Sequence, residues 1–145
     1  METIPINWWA VIVAAAVKFI AGSIWYAPPV MGRTWQAALG LDEDTVKRGL
    51  AKAIPVDIVA NLVMAYVLAL IVGYMGATTI GGGLLVGLLV WLGFAATITL
   101  GTVVYEQRPF KVFLINNAYL LVTIAVMGAI LAVWQSAPME VPAAS

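Results

Sequence analysis

Four long apolar runs, separated by three connections of very different character, dominate the pattern of this chain. The first, about 7–26, has Trp8 and Trp9 at one end and Trp25 and Tyr26 at the other, as interfacial anchors do. Pro28 and Pro29 stop it, because neither ring nitrogen can donate to a continuing helix. The second run, about 54–74, admits Pro55 in its first turn. The third covers about 82–105, and Glu106-Gln107-Arg108-Pro109 turns the chain into the fourth, about 110–134. Runs of roughly 20 residues match the hydrocarbon thickness of a bilayer, so the pattern predicts an all-α, polytopic membrane protein: one domain, 1–145, of four transmembrane helices.

Segment 27–53 is the one sizeable polar stretch, and it predicts a pair of short amphipathic helices at the membrane surface. Gly40 reads as the C-cap of one that contains Met31, Trp35 and Leu39. Asp42 reads as the N-cap of the next, with Glu43–Lys47 and Asp44–Arg48 as i,i+4 pairs. A plain solvated connector is the competing reading.

Composition removes whole classes of function. The 145 residues are 63% hydrophobic and 10% charged, against about a quarter charged in a soluble domain. No cysteine and no histidine are present, so disulfides, thiolate metal sites and histidine-based catalysis are excluded, and we expect no enzyme, cofactor or metal. A net charge of zero gives no footprint for nucleic acid. Ala21-Gly22-Ser23 resembles a cleavage site, but Glu2 precedes the run and Lys18 lies inside it, so the first run reads as an uncleaved span.

The basic residues set an orientation. Arg33, Lys47, Arg48 and Lys52 lie in the first connection and Arg108 and Lys111 at the third; the other connection and both termini have none. By the positive-inside rule the two basic connections are cytoplasmic and both termini are outside.

The candidate chemistry is an intramembrane polar layer. Lys18 lies about 12 Å from the inner end of its span, Asn61 and Asn116 about 10 Å, and Asp57 about 5 Å, at 1.5 Å per residue. With Asn117, Thr99 and Tyr105 they occupy one half of the bilayer. A lysine at that depth is costly and needs a partner, and Asp57 is within reach of a side chain extending toward the surface. Two readings stand: a structural layer built on a Lys18–Asp57 pair and interhelical amides, or a site for a small polar or anionic solute or ion. Small residues provide packing faces: Gly22, Ala65, Gly83-xxx-Gly87, Gly93 and Gly101. Gly81-Gly82-Gly83 reads as a helix start and not a phosphate loop, since no strand precedes it and no lysine follows in the required position. Trp91 and Tyr66 read as packing before they read as a ligand cleft.

Taken together, Asn7-Trp8, Phe19-xx-Gly22-xx-Trp25-Tyr26-x-Pro28, Gly32-xx-Trp35, Gly40, Met64-Ala65-Tyr66, Trp91-Leu92-Gly93-Phe94, Glu106-x-Arg108-Pro109 and Phe113-x-Ile115-Asn116-xx-Tyr119 resemble the family of small bacterial membrane proteins called domain of unknown function 1761. Asn117 stands where a small residue is expected, and Leu120 where such sequences often carry a histidine. The resemblance implies a four-span bundle and transfers no catalytic residue. The expectation is a non-enzymatic structural or accessory subunit of the bacterial cytoplasmic membrane. Its partners are the lipid bilayer and either its own copies or a larger membrane protein complex. A small transporter or channel is the alternative.

Overall fold

The computed structural model describes residues 3–135, and among these the chain is helical with no strand. Helix α1 spans Trp8–Trp25, α2 Arg33–Leu39, α3 Glu43–Tyr74, α4 Ile80–Val90, α5 Thr97–Val104 and α6 Phe110–Val133. A π-helical turn at Pro28–Gly32 leads into α2, and a second, Trp91–Ala96, joins α4 to α5 as one span. Four helical stretches are therefore long and apolar enough to cross a bilayer.

One boundary differs from the expectation. The second short amphipathic helix and the second span are one continuous helix of 32 residues. Pro55 lies well inside it and removes the N–H that would have bonded Ala51. Every residue from Lys47 to Ala60 is exposed, so the freed carbonyl of Ala51 has no protein packed over it. The first short helix does form, and it ends at Gly40, whose φ of 68° lies where a Cβ would be strained. The third span also carries a six-residue π segment that hydropathy did not indicate.

The N-terminus of α3 is set by Asp42, whose Oδ1 accepts from the Thr45 N–H at 2.6 Å. Glu43 and Lys47 pair at 2.9 Å. Arg48 instead turns back on the Asp44 carbonyl at 3.3 Å, so the expected Asp44–Arg48 ion pair is absent among the described residues. The bonds from Thr45 hold the Asp42 carboxyl below its usual range. A depressed folded value means the cap is fully present above the ordinary carboxylate range and is lost as pH falls through the lower folded value. Amide exchange at Thr45 and Val46 is thus expected to rise on acidification. It is expected to rise at neutral pH in Asp42→Ala, with no change at α6; equal exchange in the two proteins would contradict the cap.

Helix α6 is the hub and touches every other helix. Its closest neighbour is α4, through glycine: a Cβ on Gly83 would collide with the backbone of Gly128, and one on Gly87 would meet the Ala125 Cα at 2.6 Å. In lipid, such backbone approach replaces the hydrophobic effect as the packing force. The core between α1, α3 and α6 is built from Ala10, Ala14, Ala65, Ala69, Val72 and Met127. Ala65 is fully buried, as a packing residue should be. At the end of the bundle away from the basic connections, Asn7 caps α1 and donates its Nδ2 to the Trp134 carbonyl at 2.7 Å. Gln135 donates to the Ala69 carbonyl at 3.0 Å nearby, tying α1, α3 and α6 together.

Candidate functional site

The polar layer is built by the three helices that share the core. Lys18 faces inward on α1 and is only 5% exposed. Its Nζ donates to Asn61 Oδ1 on α3 at 2.8 Å and to the Tyr119 hydroxyl on α6 at 3.3 Å. The Tyr119 hydroxyl in turn donates to the Lys18 backbone carbonyl at 2.9 Å, and the lysine head lies 5.0 Å from the centre of the same ring. One tyrosine therefore grips both the backbone and the head of Lys18, and its ring face adds a cation–π contact. Gly22 makes this possible, since a Cβ there would meet the Tyr119 oxygen at 2.7 Å.

Asp57 is not bonded to Lys18. Asn61 stands between them, accepting from Lys18 through Oδ1 and donating through Nδ2 to Asp57 Oδ2 at 3.1 Å. The expected Lys18–Asp57 ion pair is therefore replaced by an amide relay. The reason is the seat of Tyr119, whose hydroxyl lies at the Lys18 carbonyl and beside Gly22, one turn along α1. The lysine head is held between Asn61 and Tyr119 and meets Asp57 only across the Asn61 amide.

The remaining candidates separate into other places. Asn116 accepts from the Tyr26 hydroxyl at 2.7 Å, below the lysine. Trp25 Nε1 donates to the Ile115 carbonyl at 3.2 Å beside it, and the Tyr26 ring meets those of Trp35 and Tyr119 edge-on at 5.5 and 5.4 Å. The aromatic pair read as an interfacial anchor thus also fastens the end of α1 onto α6. Asn117 faces the third span and donates to Thr99 Oγ1 at 2.9 Å and to the Phe113 carbonyl at 3.1 Å. Its Oδ1 is buried without a partner among the described residues. Tyr105 is 88% exposed at a helix end and belongs to no layer. Gly93 and Gly101 do not pack closely: a Cβ on Gly93 would meet nothing within 4 Å, and one on Gly101 only the Tyr105 ring at 3.9 Å. Gly93 lies within the π segment and Gly101 on α5.

Tyr119 and Tyr26 are the participants that residue counting missed. Tyr119 follows Asn116 by three positions and shares its face, and at about 15 Å from Pro109 its backbone lies near the depth estimated for Lys18. Tyr66, read with Trp91 as packing, stacks on Trp8 at 5.5 Å.

Among the described residues no group of acidic, histidine or cysteine side chains could hold a metal ion. Two cavities adjoin the layer. One, of about 300 Å³, lies between α3, the π segment and α6 and touches Phe94, Thr99 and Leu120. The other, of about 350 Å³, lies between α1 and α3 and touches Phe19, Ile58 and Asn61. Both are walled almost wholly by apolar side chains.

No curated protein and no solved structure matches the chain. The family described as "Protein of unknown function (DUF1761)" matches residues 9–132, which take in all four spans and every member of the polar layer. With the Trp25-Tyr26 clasp, the Lys18 grip and the Asn116-xx-Tyr119 face all inside that match, the chain belongs to this family of unknown function.

Proposed function

We propose that the protein is a non-enzymatic structural or accessory subunit of the bacterial cytoplasmic membrane, joining its own copies or a larger membrane complex. The observation that carries this reading is where the hydrogen bonds of Lys18 go. They end on Asn61 and Tyr119, both buried, so the costly group in the membrane is spent on joining α1, α3 and α6. Buried ionic groups held in this way are best attested as devices of register and specificity. The basic first and third connections support a cytoplasmic placement of that end and an outside placement of both termini.

The transporter alternative has one supporting observation. An ammonium has three donors, and two acceptors for Lys18 are present among the described residues, leaving one N–H for a solute or ion. The full chain in lipid nanodiscs separates the two readings by native mass spectrometry, with liposome flux beside it. The structural reading expects the same stoichiometry, above one or with a co-purified membrane protein, in the wild type and in a folded Lys18→Met/Asn61→Leu variant, and no solute flux. A monomer with flux that disappears in Lys18→Met would overturn it.

A further inference from the structure

The α1–α3 cleft opens beside a carboxylate that the fold leaves incompletely served. Its walls are Ile12, Ala16, Phe19, Ile58 and Leu62, and its one polar lining residue is Asn61. Both ends of that amide are already used, by Lys18 and by Asp57. Asp57 precedes Asn61 by one turn and adjoins Ile58, so it stands at the rim of the cleft on the side of the basic connections. It is exposed, and among the described residues its carboxylate accepts a single hydrogen bond and makes no ion pair. Lys52, the nearest cation along the helix, is five residues away and points about 140° round from it. Lys18 acts on Asp57 by charge alone, across the Asn61 amide, and gives it no hydrogen bond. Counted from Tyr74, Asp57 is about 26 Å along the helix, just inside a hydrocarbon core of about 30 Å. A carboxylate at that depth with one neutral donor has room for a charged N–H donor from outside the chain.

We propose that this cleft binds a phospholipid carrying a primary ammonium, with an acyl chain between α1 and α3 and the headgroup ammonium on Asp57. The apolar walls suit a hydrocarbon chain, and the free carboxylate oxygen suits an N–H donor of positive charge. A headgroup with a quaternary ammonium has the same charge and no N–H to give, so the site discriminates by hydrogen bonding as well as by charge.

The test is native mass spectrometry of the full chain released from vesicles of phosphatidylethanolamine and phosphatidylglycerol. Parallel vesicles carry phosphatidylcholine in place of phosphatidylethanolamine. The expected result is at least a tenfold preference for retained phosphatidylethanolamine in the wild type. Asp57→Asn is expected to abolish the preference, and Ala16→Phe, which fills the cleft and keeps the carboxylate, to lose retained lipid of either kind. Equal retention of the two lipids by the wild type would overturn the proposal, as would an undiminished preference in Asp57→Asn. A wild-type dimer that retains no lipid would assign the face to a second copy and also overturn it. Stoichiometry and lipid retention are separate readings of one spectrum, so the subunit proposal and this one fail independently.

Discussion

Gly83→Leu is expected to unfold the α4–α6 contact and to leave little of the protein folded in mild detergent. At this position a side chain has nowhere to go, because the atoms a Cβ would strike are the Gly128 carbonyl group and the Ala129 Cα. A flexible side chain could rotate away; backbone cannot without moving the helix. The cost should therefore exceed about 3 kcal/mol, the upper end of ordinary overpacking. The effect should spread, since α6 is the helix on which all the others rest. Gly93→Leu adds the same side chain to the same span where a Cβ would meet nothing, and it should stay within about 0.5 kcal/mol of the wild type. Thermal unfolding of both variants, followed by circular dichroism, checks the contrast. Leucine is the better helix former at both positions, so similar losses in the two would show that close approach to α6 does not decide.

That contrast also marks how far the sequence could be read. Hydropathy alone located all four spans, because a bilayer leaves few ways to bury 18 or more apolar residues. Gly83-xxx-Gly87 and Gly93 look alike as text, however, and only the first faces a neighbouring backbone. What separates them is rotation: Gly93 is six residues past Gly87 and so about 120° round the helix, and it sits in the π segment Trp91–Ala96, which has no hydropathic signature. Pro55 misled for a related reason. It was read as a helix start, but an exposed proline costs a helix one hydrogen bond and need not end it.

The polar layer was legible in its members and not in its wiring. Depth placed Lys18, Asp57 and Asn61 in one layer with Asp57 as the partner of the lysine, and it is Asn61 that bonds it. Counting residues gives the depth of a Cα, and a lysine head lies several bonds beyond it. The Tyr119 hydroxyl, seated at the Lys18 carbonyl beside Gly22, and the Asn61 amide capture that head before it reaches Asp57. Asn116 and Asn117 are adjacent in sequence, and so about 100° apart on the helix; one serves Tyr26 and the other Thr99. A single layer in the sequence therefore becomes three interhelical clasps at different places on α6.

Asn61→Leu is the substitution that should damage the Lys18 clasp most. It removes the 2.8 Å acceptor of a lysine that is 95% buried and leaves only the Tyr119 hydroxyl, itself committed as a donor to the Lys18 carbonyl. Removing one partner of a buried charge typically costs about 3–5 kcal/mol, because the other is left uncompensated. Lys18→Met/Asn61→Leu removes both and fills the space with apolar volume, a replacement that is often neutral or stabilising. The double variant should therefore be more stable than Asn61→Leu alone. Denaturation in mixed micelles, run as a double-mutant cycle with Lys18→Met as the second single, measures the coupling directly. If the double is as unstable as Asn61→Leu, the loss comes from packing around position 61 and not from the stranded lysine. The lysine would then be one that the bundle tolerates, not one that it uses.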